Sequence, residues 1–393
     1  WNHGAKTLKK RFKPSIDFMK SASFIQGRHW KSGKSIEVVF ENGWIREIHT
    51  LPNEVASSKW ILPPWIDCQV NGYAGIDFQQ SGLTQEAMEH ATWALKKDGC
   101  VGFFPTLITC PWQEMMDRLT HLKALTKKSS LLSNHILGWH LEGPFLSPET
   151  GYRGAHDPQC MEDPKPEHLE HIRSITEADP VLLTLAPERK GSMAFIRKAK
   201  KLGMRVSLGH TNADTQTLHE AFKAGARALT HLGNACPQQL DRHDNILLRA
   251  LDPPRWITGL IPDGIHLSPT LFRCLHRWIP ASQIYYTTDA MAAAGSPPGR
   301  YQIAGLEVEV GADQVVRQPG QSNFAGSALK PIDGILRAAE MLGKNWKDLW
   351  PHGSLIPSKW LGLPLGLKVG CKSMCSMVTE LPQGKLHVES HSP

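Results

Sequence analysis

Six short apolar runs end in side chains that can do chemistry. One leads into Asp67-Cys68-Gln69-Val70-Asn71, and another into His140-Leu141-Glu142-Gly143-Pro144. Others lead into Gly209-His210-Thr211, Thr230-His231-Leu232-Gly233-Asn234, Asp263-Gly264-Ile265-His266 and Thr287-Thr288-Asp289-Ala290. One Glu, several His and one Asp therefore recur at equivalent places. A Glu with two His makes a suitable first shell for a catalytic zinc, because three protein ligands leave a fourth position for water. Such an ion lowers the pKa of that water toward ~7. A neighbouring carboxylate then has a proton to shuttle to a leaving group. Taken singly, a His at a strand end is more often a hydrogen-bonded structural residue, and an Asp-Ala or Glu-Gly-Pro step a turn or cap. The recurrence at successive strand ends favours a site.

The elements that must position these residues alternate. β-type runs are read at Trp65–Val70, Gly102–Ile108, Ile136–Glu142, Val181–Pro187, Arg205–His210, Ala228–Leu232, Trp256–Pro262 and Ile284–Asp289. Between and after them lie amphipathic helical segments: Thr84–Lys97, Gln113–Thr126, Pro166–Thr176, Ser192–Leu202, Asp214–Ala224, Asn245–Leu251, Pro269–Trp278 and Ser327–Leu342. Eight β-then-α units predict an α/β chain forming a (β/α)8 TIM-like barrel, whose active site lies at the C-terminal ends of the strands. The alternative is an open doubly wound sheet, but no GxGxxG follows the first strand. Met291-Ala-Ala-Ala-Gly295, after Asp289, reads as a flexible loop beside the site.

The flanks differ. Ser35–Phe40 and Trp44–Ile48 are split by Glu41-Asn42-Gly43, a hairpin signal. Lys368–Val369, Ser376–Thr379 and Lys385–Val388 read as further short strands. The expected division is a barrel over 61–345 and a small β-sandwich domain built from 1–60 and 346–393.

Composition narrows the class. The 393 residues are 41% hydrophobic and 21% charged, ordinary for a globular protein. The net charge of +7 is spread in short pairs such as Lys9-Lys10 and Lys200-Lys201, with no basic block interleaved with aromatics. A nucleic-acid partner has no motif support. No apolar run reaches the ~18–20 residues of a membrane span, and no signal-peptide pattern opens the chain. Eight cysteines without a CxxC pair indicate free thiols in a reducing compartment, hence a cytoplasmic protein.

Certain segments carry a resemblance. Ile61-Leu-Pro-Pro-Trp-Ile-Asp67, HLEGPF (140–145), GAH (154–156), LGHT (208–211), THLGNA (230–235), DGIH (263–266), TTDAMAAAG (287–295) and AGSAL (325–329) resemble the N-acetylglucosamine-6-phosphate deacetylase family, in its order and at similar spacing. The likeness covers about residues 60–345. The chain departs from the family at Pro64, Gly233 and the Cys236–Leu240 loop. The family belongs to the amidohydrolase superfamily, which implies a barrel with a small β-domain.

Position by position, the resemblance implies Glu142, His210 and His231 as ligands of one divalent ion per subunit, zinc, and Asp289 as the catalytic acid/base. It implies substrate contacts at Ala155, His156, Asn234, Ala235, Arg242, Asp263 and His266, and at Phe324, Ala325 and Gly326. Arg242 presents a planar fork suited to phosphate oxygens. Many amidohydrolases carry His-x-His on the first strand for a second metal; this chain has Gln69-Val70-Asn71, and amides are poor zinc ligands. The implied reaction is hydrolysis of N-acetyl-D-glucosamine 6-phosphate, with a homodimer as the implied assembly. A galactosamine epimer as substrate and a non-catalytic sugar-phosphate-binding scaffold are the alternatives.

Overall fold

The computed structural model describes residues 23–52, 57–253, 255–320 and 324–392. Eight parallel strands follow one another around a barrel: β1 (Ile66–Val70), β2 (Gly102–Ile108), β3 (Trp139–Glu142), β4 (Val181–Leu185), β5 (Arg205–Leu208), β6 (Ala228–Leu229), β7 (Ile257–Leu260) and β8 (Ile284–Tyr286). Runs such as Val181-Leu-Leu-Thr-Leu185 are buried throughout, as strands covered on both faces must be. The ring closes between β1 and β8. Val70 bridges Ala290 in parallel, and the Asn71 N–H donates to the Ala290 carbonyl at 2.7 Å. The buried Asp67 carboxylate accepts from the Thr287 hydroxyl at 2.5 Å, the Thr288 hydroxyl at 2.6 Å and the Thr288 N–H at 3.0 Å.

The helices form for local reasons. Gln85–Lys97 is capped by Thr84, whose side chain accepts from the Ala87 N–H, and ends in Lys96 and Lys97. Its buried residues Met88, Ala91, Thr92 and Leu95 fall at helical spacing along one stripe. Several strands are shorter than the apolar runs suggested: β3 starts at Trp139 and β6 spans only two residues. After β5, β6 and β8 the backbone leaves the ladder, with His210, His231 and Asp289 at φ of 51°, 30° and 52°.

The small β-domain draws its strands from both flanks. Ser23–His29, Ser35–Glu41, Trp44–Thr50, Lys59–Leu62, Cys375–Glu380 and Leu386–His391 form one six-stranded sheet rather than two facing ones. Lys59–Leu62 stitches the flanks together, parallel to Ser23–His29 and antiparallel to Cys375–Glu380. Asn42 and Gly43 make the expected hairpin turn at φ of 53° and 80°. Residues 1–22, included in the expected small domain, lie outside the described residues.

Three expectations need correction. Lys368–Val369 is not a strand; Gly366 at φ 156° and Gly370 at φ 85° turn the chain there, and Val369 is exposed. Residues 346–361 are helical, with Trp346–Leu349 and Leu355–Leu361 joined by a 3-10 turn. There Trp350 packs on Trp65 at 5.0 Å, and His352 Nδ1 bonds to the Ile284 carbonyl at 2.8 Å. Finally, Met291-Ala-Ala-Ala294 is not a mobile loop. All four residues are at most 2% exposed, and Met291, Ala292 and Ala293 share a core with an unforeseen three-stranded sheet of Gly299–Ile303, Leu306–Val310 and Val316–Arg317. Small side chains let this sheet sit close to the barrel rim. All eight cysteines are free thiols, as expected.

Candidate metal centre and substrate cavity

Glu142 leaves the end of β3, and His210 and His231 follow β5 and β6. Each offers a ligand atom within 4.8 Å of the others, and all three side chains are buried. Glu142 Oε1 lies 2.9 Å from His231 Nε2 and 3.4 Å from His210 Nε2. Burial raises the Glu142 carboxyl, but the two imidazoles beside it, His210 and His231, prevail and hold it well below the usual range. Burial likewise lowers His231, yet the bond and charge of Glu142 lift it to about 9.

This donor set fits a divalent cation. His210 Nδ1 donates to the Tyr152 carbonyl at 2.9 Å, which fixes the tautomer and turns the Nε2 lone pair toward Glu142. A lone pair facing a carboxylate oxygen is repulsive unless a cation or a second proton stands between them. Two imidazoles and one carboxylate are a common catalytic zinc set. Gln69, on β1, donates from Nε2 to the other Glu142 oxygen at 2.9 Å. Positive φ at His210 and His231 marks backbone held in an unusual conformation at a site.

Asp289 stands across from these ligands. Burial and the charge of Glu142 raise its carboxyl, His231 and His266 oppose them, and the result is about 7. Asn71 Nδ2 donates to Asp289 Oδ1 at 2.8 Å. Gln69 and Asn71 thus each hold a carboxylate. Their spacing at the end of the first strand was visible in the sequence; their partners were not.

A cavity of about 630 Å³ opens above the centre, within the usual ~300–1,000 Å³ of small-molecule sites. Glu142, His210, His231 and Asp289 line it together with Ala155, His156, Asn234, Ala235, His266, Phe324, Ala325 and Gly326. His156 Nδ1 lies 2.9 Å from Thr109 Oγ1, whose hydrogen goes to the Glu142 carbonyl at 3.3 Å. The His156 Nδ1 is therefore the donor, and Nε2 is left as an acceptor. Burial pushes His156 down to about 3, so the ring is neutral. Both side-chain polar atoms of Asn234 are buried without a hydrogen-bond partner. Phe324 stands at the mouth, 41% exposed and 5.1 Å from the His266 ring.

Two expected substrate residues lie off the cavity wall. Asp263 faces His266, accepting from its Nδ1 at 2.6 Å and from the Ile265 and His266 N–H groups at 2.8 and 2.9 Å. It orients the ring from behind. Arg242 sits on an exposed turn, where its Nε donates to His243 Nε2 at 2.9 Å. Among the described residues, the Arg or Lys that lines the cavity is Arg153, just before GAH, which sequence reasoning missed. Its signal was present: a lone Arg two residues before the candidate substrate pair Ala155-His156.

No family model matches the chain. It is 31% identical to the N-acetylglucosamine-6-phosphate deacetylase of Danio rerio, over 89% of this chain and 91% of the relative. It is 30% identical to the enzyme of that name from Bacillus subtilis (strain 168), over 81% and 79%. It is also 29% identical to an N-acetylgalactosamine-6-phosphate deacetylase of Escherichia coli O157:H7, over 82% and 84%. Among solved structures, the fold is shared with the N-acetyl-D-glucosamine-6-phosphate deacetylase of Mycobacterium smegmatis, with a TM-score of 0.78 at 24% identity over 90% of this chain and 95% of that one. With close to a third of its residues identical over nine-tenths of its length, the chain belongs to the N-acetylglucosamine-6-phosphate deacetylase family.

Proposed function

We propose that this protein hydrolyses the acetamide of N-acetyl-D-glucosamine 6-phosphate to D-glucosamine 6-phosphate and acetate, in amino-sugar catabolism, with one zinc ion held by Glu142, His210 and His231. The observation that carries the reading is the buried cluster of these three ligand atoms facing Asp289 in one cavity. When bound, the ion supplies a Lewis acid that polarises the amide carbonyl and acidifies water enough to attack at neutral pH.

The chain's residues do the rest. Asp289 takes the proton of the attacking water as the C–O bond forms, then returns it to the amide nitrogen as the C–N bond breaks. Asn71 keeps the Asp289 carboxylate aimed at the cavity. His266, whose Nδ1 donates to Asp263, is left with Nε2 as an acceptor for a substrate hydroxyl. His156 offers its free Nε2 to a sugar hydroxyl. The unpartnered Asn234 amide and the Arg153 guanidinium suit an anionic group on the same substrate.

On this reading the barrel expected at 61–345 is the catalytic unit, and the segments 1–60 and 346–393 support it. The protein works in the cytoplasm as a homodimer, and Arg242, exposed on its turn, faces a second subunit. No helix among the described residues is long and apolar enough to cross a membrane.

Acetate release from N-acetyl-D-glucosamine 6-phosphate by zinc-loaded protein tests the proposal; absence of turnover leaves a sugar-phosphate-binding scaffold. The Escherichia coli relative supports a second reading, the galactosamine epimer. A higher kcat/KM on N-acetyl-D-galactosamine 6-phosphate selects it.

A further inference from the structure

Directly beneath the ligand layer runs a second polar layer that this chemistry does not use. Five side chains, Thr106, His140, Thr184, Ser207 and Thr230, meet inside the barrel, each at most 4% exposed. Their donors can be ordered. The Thr230 hydroxyl donates to Ser207 Oγ at 2.6 Å. With its hydrogen so used, Thr230 Oγ1 accepts from the Thr184 hydroxyl at 2.8 Å. Thr184 Oγ1 in turn accepts from His140 Nε2 at 2.8 Å. His140 Nδ1, left as an acceptor, faces the Thr106 hydroxyl at 3.1 Å; that hydroxyl also lies 3.3 Å from the Phe104 carbonyl, and Thr106 Oγ1 accepts the Val70 N–H at 3.0 Å. One continuous chain of hydrogen bonds links β1, β2, β3, β4, β5 and the end of β6.

The chain passes under the three residues that converge on the cation site. His140 lies two positions before Glu142 on β3. Ser207, on β5, lies three before His210. Thr230 immediately precedes His231. The link between the first of these and the other two is Thr184, on β4, a strand that contributes no ligand. Thr184 also supports the β5 terminus by contact: a Cβ built on Gly209 would lie 2.9 Å from Thr184 Cγ2 and 3.0 Å from Thr230 Cβ. The backbone just before His210 therefore rests on these two threonines.

We propose that Thr184 is a positioning residue for the cation site, and that its hydroxyl sets the spacing of Glu142, His210 and His231 by tying β3 to β5 and β6. This rests on those three residues being the metal ligands. Partners that orient ligands typically change metal affinity about 10- to 100-fold when removed. Two substitutions separate the hydroxyl from the packing. Thr184→Val keeps the shape and the methyl on Gly209 but deletes the hydrogen bonds. Thr184→Ser keeps the hydroxyl and deletes the methyl.

The test titrates Zn(II) into metal-stripped wild type, Thr184→Val and Thr184→Ser in competition with a chromogenic chelator, with a thermal melt of each stripped protein. Thr184→Val is expected to bind Zn(II) about 10- to 100-fold more weakly, with KM for N-acetyl-D-glucosamine 6-phosphate unchanged at saturating zinc. Thr184→Ser is expected to bind close to wild type. Wild-type affinity in Thr184→Val, or equal weakening in both variants, overturns the proposal. If Thr184→Val fails to fold, Ser207→Ala at the end of the chain is the second variant; it should weaken Zn(II) in the same direction, and unchanged affinity overturns the proposal. A wild type that binds no Zn(II) overturns the ligand assignment itself, an outcome distinct from the other two.

Discussion

Asn71 donates its side-chain amide to Asp289 across the barrel seam, Nδ2 to Oδ1 at 2.8 Å, while its side-chain oxygen Oδ1 stays buried without a hydrogen-bond partner. The carboxylate is thereby held beside the ligand cluster without belonging to it. Asp289→Asn preserves the size and removes the proton acceptor. We expect kcat to fall by at least ~100-fold with metal content retained. Turnover, metal analysis and melting on one preparation check this. A folded, metal-loaded Asn variant with near-normal turnover would remove Asp289 from the proton path.

The metal stoichiometry follows from the same pair of amides. Gln69 and Asn71 give their NH2 groups to Glu142 and Asp289, and an amide oxygen is a poor zinc ligand beside imidazoles and carboxylates. Purified protein should contain about one equivalent of divalent ion. Chelation should abolish turnover and lower Tm, and added Zn(II) should restore both in a concentration-dependent way. A second well-occupied ion on Gln69 and Asn71 contradicts the assignment.

Phosphate selectivity divides Arg153 from Arg242. Arg153 lines the cavity, whereas Arg242 lies on an exposed turn. Truncating a charged contact in a desolvated site often costs ~2–5 kcal/mol. Arg153→Ala should therefore raise KM for the phosphorylated sugar strongly, and Arg242→Ala should do so only if a second subunit brings it to the site. Unphosphorylated N-acetylglucosamine should be a poor substrate for wild type. Steady-state kinetics with both sugars, alongside sedimentation, decide between the two arginines.

Acid stability should reflect His276. Burial, with the charges of His352 and Lys344, pushes this ring down to about 3 from its ordinary 6.5, and its Nε2 meets the Tyr286 hydroxyl at 3.0 Å. The unfolded chain takes up this proton first. Stability from His276 is therefore whole above pH 6.5 and declines as pH falls from there toward 3. Urea unfolding at pH 7 and pH 5 should show His276→Gln losing less stability on acidification than wild type. Equal losses would contradict the assignment.

The seam itself depends on Asp67. Its carboxylate accepts two threonine hydroxyls and the Thr288 N–H from the two residues just after β8. Asp67→Ala leaves those buried donors unpaired, each costing on the order of 1–3 kcal/mol. Chemical denaturation should show a loss above ~2 kcal/mol, and Asp67→Asn should lose less.

What the sequence by itself determined is the architecture and the identity of the cluster. Continuous apolar runs such as Val181–Leu185 and helical stripes such as Met88-Ala91-Thr92-Leu95 are local periodicities, readable without a fold. Glu142, His210, His231 and Asp289 stand where such runs stop, as do His140 and His266, and the family resemblance implied which of them form the site. Partners were not legible, because they come from strands far apart in the chain. Gln69 to Glu142 and His140 to Thr184 are bonds between strands that the folded sheet sets side by side or nearly so, and Asn71 to Asp289 crosses the seam where the barrel closes. The same reason explains the misreadings. Met291–Ala294 looked like a loop because small residues carry no periodic signal, yet a neighbouring sheet buries them. Arg242 lies on an exposed turn while Arg153 lines the cavity, a placement that the order of residues along the chain does not give. Residue type and spacing fix what an element is; which side chains face one another is decided by tertiary closure.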